Sequence, residues 1–446
     1  MADLLTIGTS GLKAYSRALS TTSDNIANAQ TVGYARRSVR TADSSAISSQ
    51  LEFNSKVQAN GVTVISVERA VDDFLIIDAR AAGSESGRTG VRLAWAEAVE
   101  RAVDDGSSGV GQNITRVYNA ADILSSDPGN TTKRASFLQA VTDTADAFRT
   151  TAGRLESIAT NITTDAQISA DQLSTNLEAL KRVNQGLQAA REGSTNKAAL
   201  LDERDRLIDS VASAVGVTTT FDARGVATVR AAGPSGDLLA DASTAADISV
   251  TAATDGTLSF AVSNGATSTL VPTTGRLAGL GRAASDLSAK RTELDGLATR
   301  FASDINTAHQ AGIDANGNPG VALLSIGAGA ASLVAISVTN DQVAAASSSS
   351  ENGNALSFAS LRSSTGTEAT WNALIAQQAQ STASARAQDA AATSRQNGAD
   401  EARSALSGVD LDREAADLLR YQQAYEGAAR TIQVARETLQ TILNLF

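Results

Sequence analysis

Few side chains in this 446-residue chain could do chemistry. There is one histidine, His309, and no cysteine, which excludes thiol catalysis, disulfides and cysteine-ligated zinc. His309 falls on a helical segment with no serine and acid arranged around it, and no G-x-S-x-G turn exists. It reads as filler rather than as a base. The run DANGNPG (314–320) places Asp314, Asn316 and Asn318 at alternate positions, as the first ligands of a calcium loop are placed. Such a loop needs glycine where Pro319 stands and a bidentate carboxylate where Ser325 stands, so a turn is expected. GLGRAA (279–284) mimics a dinucleotide fingerprint opening a helix, but no strand–helix–strand unit or downstream acid frames it. No catalytic residue, cofactor or metal site is expected, and the chain does not read as an enzyme. The polar groups with a notable placement are Asn25 and Asn28 in SDNIANAQTVGYARR (23–37). Three apart, they lie on neighbouring parts of one helical face, where each amide can donate and accept. In a crowded subunit contact such groups would fix register more than they add stability. Gly33 could take the positive φ that ends the helix, and Tyr34 would then turn the chain outward. A plain helix C-cap is the alternative.

The composition narrows the partners. The formal net charge is -11, whereas nucleic acid and anionic membranes both attract clustered Lys and Arg. Neither is expected as a partner. The chain is 42% hydrophobic but only 4% aromatic. Cores of small side chains suit closely packed long helices better than a deep ligand pocket. No run of about 18 apolar residues could span a bilayer. The N-terminal stretch lacks the basic and apolar regions of a secretory signal, so any exit from the cell is expected to use another route.

The elements follow from periodicity. Residues 4–27 read as a helix on which Leu5, Leu12, Leu19 and Ile26 recur every seven, with Gly8, Tyr15 and Thr22 between them. YARRSVR (34–40) and VTVISVER (62–69) are candidate hairpin arms. A helix is expected from Asp72-Asp73, broken near Gly83–Gly90 and restarting over 91–103. Two further helices are expected over 132–155 and 156–190, then a third over 200–215 bearing opposite charges at i,i+4. Residues 216–274, rich in Thr, Val, Ala and Gly, read as a small inserted β domain. Helix returns at 283–310 and over 368–406. After Gly408, Asp410 can cap a final helix whose apolar positions, Leu418, Tyr421, Tyr425, Ala428, Ile432, Ala435, Leu439, Ile442 and Phe446, keep spacings of three and four.

A stripe that narrow asks for a partner helix. The expected fold class is mainly α with a small inserted β domain. Its long terminal helices form an antiparallel coiled-coil-like pair beside a middle helical bundle and an outer β-rich domain. The expected division is 1–33 with 408–446 as the assembly helices, 34–215 and 275–407 as the helical domain, and 216–274 as the β insertion. Further copies would pack on the terminal pair, whose ends would be mobile before assembly and would need a chaperone. An ordinary intramolecular bundle is the bland alternative.

SDNIANAQTVGYARR resembles the N-terminal signature of bacterial flagellar axial proteins, and SGVDLDREAADLLRYQQAYEGAARTI (407–432) resembles their C-terminal one. LLDERDRLIDSVASAVGV, the β insertion and SAKRTELDGLATRFASDINTAHQAGIDANGNPG follow in the order of the hook-associated protein 1 (FlgK) family. The resemblance implies a structural subunit at the extracellular hook–filament junction of the flagellum, a ring-like polymer of itself. Its implied partners are the hook protein, the second junction protein and a cytosolic export chaperone that binds its C-terminal region. Export through the flagellar type III apparatus is implied, with the terminal helices innermost and the β domain outermost. The β insertion is short for the family. Another rod- or hook-type axial protein, or a secreted type III translocator or adhesin, remains the alternative.

Overall fold

The computed structural model describes residues 2–43, 61–233, 236–363 and 365–444. Helix α1 (Ala2–Ala27) leads through a turn into an antiparallel hairpin, β1 (Arg37–Asp43) and β2 (Val62–Arg69), bulged between Arg40 and Thr41. A bundle follows: α2 (Asp73–Ala102), α3 (Val110–Ser125), α4 (Thr131–Ala189) and α5 (Thr195–Ala214). Six strands come next, β3 (Val217–Phe221), β4 (Ala227–Ala231), β5 (Leu238–Ala240), β6 (Asp247–Ala252), β7 (Leu258–Ser263) and β8 (Thr267–Leu270), in two three-stranded antiparallel sheets. Helix α6 (Gly275–Gln310), the two-residue strands β9 (Leu324–Ser325) and β10 (Val334–Ala335), and α7 (Gly353–Ser357) precede α8 (Thr367–Ser407) and α9 (Leu411–Leu443).

Two expected helix breaks are absent. Helix α2 runs unbroken through Gly83, Gly87 and Gly90. Glycine in a helix costs about 1 kcal/mol against alanine, but at Gly87 it permits contact that a side chain would block. A Cβ there would stand 2.7 Å from the carbonyl oxygen of Ser213 on α5. Helix α4 is likewise one 59-residue element rather than two, about 90 Å long at 1.5 Å per residue. Asn130 caps it by accepting from the amides of Thr132 and Lys133. Beyond that cap, no proline or cap interrupts the row Leu155, Ala159, Ile162, Ala166, Leu173, Leu177, Leu180 and Leu187, all buried. GLGRAA, expected to open a helix, begins four residues inside α6, and Gly279 packs against α2: a Cβ would meet Arg88 O at 2.4 Å.

The bundle has a continuous core. Phe148 of α4 meets Phe301 of α6 with ring centroids 5.7 Å apart, and Phe137 and Trp371 are buried in the same cluster. The strands join that cluster through Val229, Leu239, Ile248 and Val262 instead of closing round one of their own. Asn184 of α4 pins them: its amide donates to Ala227 O at 2.9 Å and accepts from Ala227 N at 2.9 Å.

His309 is fully buried near the end of α6. Its Nδ1–H donates to Val321 O at 2.6 Å, and Nε2 accepts from Ala344 N at 2.9 Å, the arrangement of a neutral imidazole. Burial holds its pKa below the ordinary 6.5. The unfolded chain therefore takes up the proton first, so this stabilisation is complete above the unfolded pKa and shrinks as pH falls below it. The denaturant midpoint is expected to fall as pH drops from neutral to about 5, and His309→Gln is expected to flatten that dependence. Asp314 closes the following turn by accepting from Asn316 N and Asn318 N, both at 2.8 Å. Among the described residues, no group of three or more His, Asp or Glu is placed to hold a metal ion.

Candidate assembly site

Helices α1 and α9 pack antiparallel. The start of α1 lies against the far part of α9, where Gly8 faces Ala428 and Ile432, and its end lies against the start of α9, where Asn25 meets Glu414. The buried row of α1 is Gly8, Gly11, Ala14, Ala18, Thr21, Thr22 and Asn25. This corrects the expected seam: Leu5, Leu12 and Leu19 are only half-buried, and Ile26 is exposed. The reason is the closeness of the helices. A Cβ on Gly8 would stand 2.7 Å from Ile432 Cγ1, so small residues take the centre and the branched ones are displaced to the flanks.

On α9 the only buried residues among those described are Glu414 and Ala435. Leu418, Tyr421, Tyr425 and Ile432 are half-buried, and Leu439 and Ile442 are exposed. Phe446 lies outside the described residues. Leu5, Ile432 and Leu439 line an open apolar groove of about 490 Å³ at the far end of the pair.

The other end is polar and is joined by hydrogen bonds. The Asn25 amide donates to Arg37 O at 2.8 Å and to Glu414 Oε2 at 3.0 Å; its oxygen accepts from Tyr34 OH at 2.8 Å and from Arg37 N at 3.0 Å. One buried side chain thus joins α1, the turn, β1 and α9. Burial chiefly raises the Tyr34 pKa to about 12, against the pull of Arg37, which keeps the phenol a donor. Asn28 does not share this role. Its amide donates to Asp24 O in its own helix, and its oxygen accepts from Thr31. Gly33 has the expected positive φ, +83°, but α1 has already ended at Ala27, so it shapes the turn and not the cap. Asp410 caps α9 as expected, accepting from the amides of Asp412 and Arg413.

Beneath this knot, α5 presents a ladder of carboxylates. Asp202 takes Arg37 at 2.5 Å and Arg69 at 2.6 Å, both from the hairpin. Asp205 takes Arg69 at 2.7 Å, Arg80 of α2 at 3.3 Å and its neighbour Arg204 at 2.7 Å. Asp209 takes Arg80 at 2.6 Å and Arg403 of α8 at 2.7 Å. Burial opposes ionisation of Asp205, but Arg204 and Arg69 outweigh it and hold the carboxyl below the usual range. The i,i+4 reading of this helix missed the arrangement, because the partners come from four other places in the chain. Within α5 only the neighbours Arg204 and Asp205 and the exposed pair Glu203–Arg206 meet, at i,i+1 and i,i+3. A signal was nonetheless present: three aspartates at 202, 205 and 209 share one helical face.

Comparison with known proteins matches three parts of the chain. Residues 96–324 match the model of the flagellar hook-associated protein FlgK helical domain. Residues 5–34 match the model of the flagella basal body rod protein, and residues 403–445 that of the flagellar basal body rod FlgEFG protein C-terminal region. Flagellar hook-associated protein 1 of Escherichia coli K12 is 27% identical over 339 residues, 73% of this chain and 60% of that protein. Its namesake from Bacillus subtilis 168 is 26% identical over 220 residues, 48% of this chain and 43% of that protein. The match thus spans less than two thirds of either relative. The solved structure of the flagellar hook junction protein FlgK from Burkholderia pseudomallei shares the fold, with a TM-score of 0.51 at 18% identity over 56% of this chain and 46% of that one.

Proposed function

Since this chain belongs to the family of the flagellar hook-associated protein FlgK, we propose that it is a structural subunit of the bacterial flagellum that polymerises at the end of the hook. There it forms the junction on which a second junction protein and the filament build. The observation that carries this reading is the α1–α9 pair: an antiparallel helix pair whose apolar flanks stay half-covered, matched at both ends by rod-protein models. The middle of the chain distinguishes it from other axial proteins, because that region matches the FlgK helical domain.

In this reading the terminal pair is the inner layer, the bundle stands outside it and the two sheets face outward. Leu5, Leu12, Leu19 and Ile26 of α1, with Leu418, Tyr421, Tyr425, Ile432, Leu439 and Ile442 of α9, are the surface that other copies cover. Asn25 and Tyr34 tie the hinge between the layers and Gly33 shapes its turn, while Asn28 closes the end of α1 beside it. The chain leaves the cell through the flagellar export apparatus, guarded by a cytosolic chaperone on its C-terminal region. The absence of cysteine suits a chain that must travel unfolded.

Deleting residues 418–446 is expected to leave the bundle and sheets folded while abolishing polymer formation and chaperone binding. Cells carrying only the truncated chain are expected to show hooks without filaments by electron microscopy, with the filament subunit shed into the medium. Normal hook–filament joining by that chain would overturn the proposal.

A further inference from the structure

Asparagine is followed directly by glycine at Asn60, Asn264, Asn316, Asn352 and Asn397. Such a pair is chemically labile, because glycine has no side chain to keep its amide nitrogen from the asparagine Cγ. That nitrogen forms a bond to Cγ, the side-chain nitrogen leaves as ammonia, and water opens the resulting succinimide to aspartate or isoaspartate. No enzyme, oxidant or reductant is needed. The step does need a glycine N–H without a partner and a backbone loose enough to bend back on itself, so the fold decides which pair reacts.

Asn60 lies outside the described residues; the other pairs differ from one another. Asn397 and Gly398 stand within α8, where helical hydrogen bonding occupies the backbone. Gly353 opens α7 and donates to Ser350 O at 3.4 Å, and the half-buried Asn352 donates from its side chain to Ser125 O at 3.0 Å. Gly317 N donates to Asp314 O at 3.2 Å inside the turn that Asp314 closes. Gly265 differs from all of these. Its N–H makes no hydrogen bond among the described residues, and its φ is +105°. Asn264, Gly265 and Ala266 are all exposed, in the short loop between the paired residues Ser263 and Thr267 of β7 and β8.

Asn264 also ties the two sheets together. Its side-chain amide donates to Leu238 O of β5 at 2.8 Å, and beside it Ser268 of β8 donates to Asp237 Oδ1 at 2.9 Å. We infer that Asn264 is a site of spontaneous deamidation in the folded protein, faster than Asn316, Asn352 and Asn397, and that the change releases the β7–β8 hairpin from β5. The single exposed bond to Leu238 opens with the ordinary fluctuations of a surface loop, and the reaction proceeds from those moments. Once the NH2 has become an oxygen, an acceptor faces the Leu238 carbonyl, next in sequence to the carboxylate of Asp237. Two acceptors cannot pair, so the tie is lost. Isoaspartate also adds a carbon to the backbone of a tight hairpin loop, whose length sets the register of the strands beyond it.

The test follows the full chain during warm incubation in mildly alkaline buffer, once folded and once in denaturant, with aspartate and isoaspartate at each site read by peptide mapping and mass spectrometry. In denaturant the four pairs are expected to react at comparable rates. In the folded chain Asn316, Asn352 and Asn397 are expected to slow several-fold while Asn264 keeps most of its rate. Conversion at any of those three ahead of Asn264 in the folded chain would overturn the inference. An equal lead for Asn264 in denaturant would overturn it as well, because the selection would then lie in the neighbouring residues and not in the fold. The consequence is read separately on Asn264→Asp, which carries the product side chain without the backbone change. Hydrogen exchange is expected to quicken over 258–270 and 238–240, with α4 and α6 unchanged. Exchange equal to that of the unsubstituted chain would show that Asn264 does not hold the hairpin to β5.

Discussion

Replacing Asp205 by alanine is expected to cost about 3–5 kcal/mol of folding stability, the usual loss when one partner of a buried charge network is removed. The side chain is 2% exposed and takes guanidinium groups from Arg69, Arg80 and Arg204. Each of these is less than one tenth exposed; Arg204 would lose its carboxylate partner, and Arg69 and Arg80 would be left with Asp202 and Asp209 alone. A chemical denaturation midpoint checks the magnitude. Glu203→Ala, one turn-face away, is the control: its pairing with Arg206 is exposed on both sides, and a change within about 0.5 kcal/mol is expected. A small effect at Asp205, equal to that at Glu203, would mean that the ladder does not hold the hairpin to the bundle.

Asn25→Ala is expected to release α9 from the hinge with little effect on the bundle. The substitution removes four hydrogen bonds and strands Glu414, which is 2% exposed, at about 1–3 kcal/mol for each buried group left unpaired and more for a charged one. Hydrogen exchange should show faster opening along α9 and along α1 after Thr21, while α4 and α6 keep their protection, and polymer formation should fail. Asn25→Asp sharpens the test. At neutral pH it sets two carboxylates against each other near Glu414; on acidification one takes a proton, and part of the pairing should return. Unchanged exchange in α9 would remove Asn25 from its role as the hinge tie.

Much of this molecule was legible from periodicity, because long helices with regular apolar rows declare themselves. The apolar row from Leu173 to Leu187, the cap at Asp410 and the second hairpin arm were readable, while the first arm lies three residues later than expected. The breaks imagined at Gly83–Gly90 and between 155 and 156 were not there. A glycine in sequence looks the same whether it ends a helix or lets another backbone approach, and Gly87 does the latter. The seam of α1 was misplaced for a related reason. Sequence reading favours large apolar residues, whereas helices this close place their smallest residues at the centre and push Leu12 and Leu19 aside. The hinge was found through its asparagines, but its working could not be. Asn25 finds Glu414 and Asp205 finds Arg69 and Arg80 only once the chain has folded, and no local pattern encodes a contact across such distances.

The bond between Asn25 and Glu414 joins residues 389 positions apart. In an unfolded chain, closing a loop of that length costs about 5 kcal/mol beyond the constant for any loop. After the bundle has folded, most of that loop is already closed: Arg36 N donates to Ser407 O at 2.8 Å, holding the feet of both helices together. The terminal pair is therefore expected to form after the bundle and to open before it. A chain threaded out in extended form would rebuild its body before its ends could find each other, and those ends would meet at the moment when neighbouring copies are there to share them.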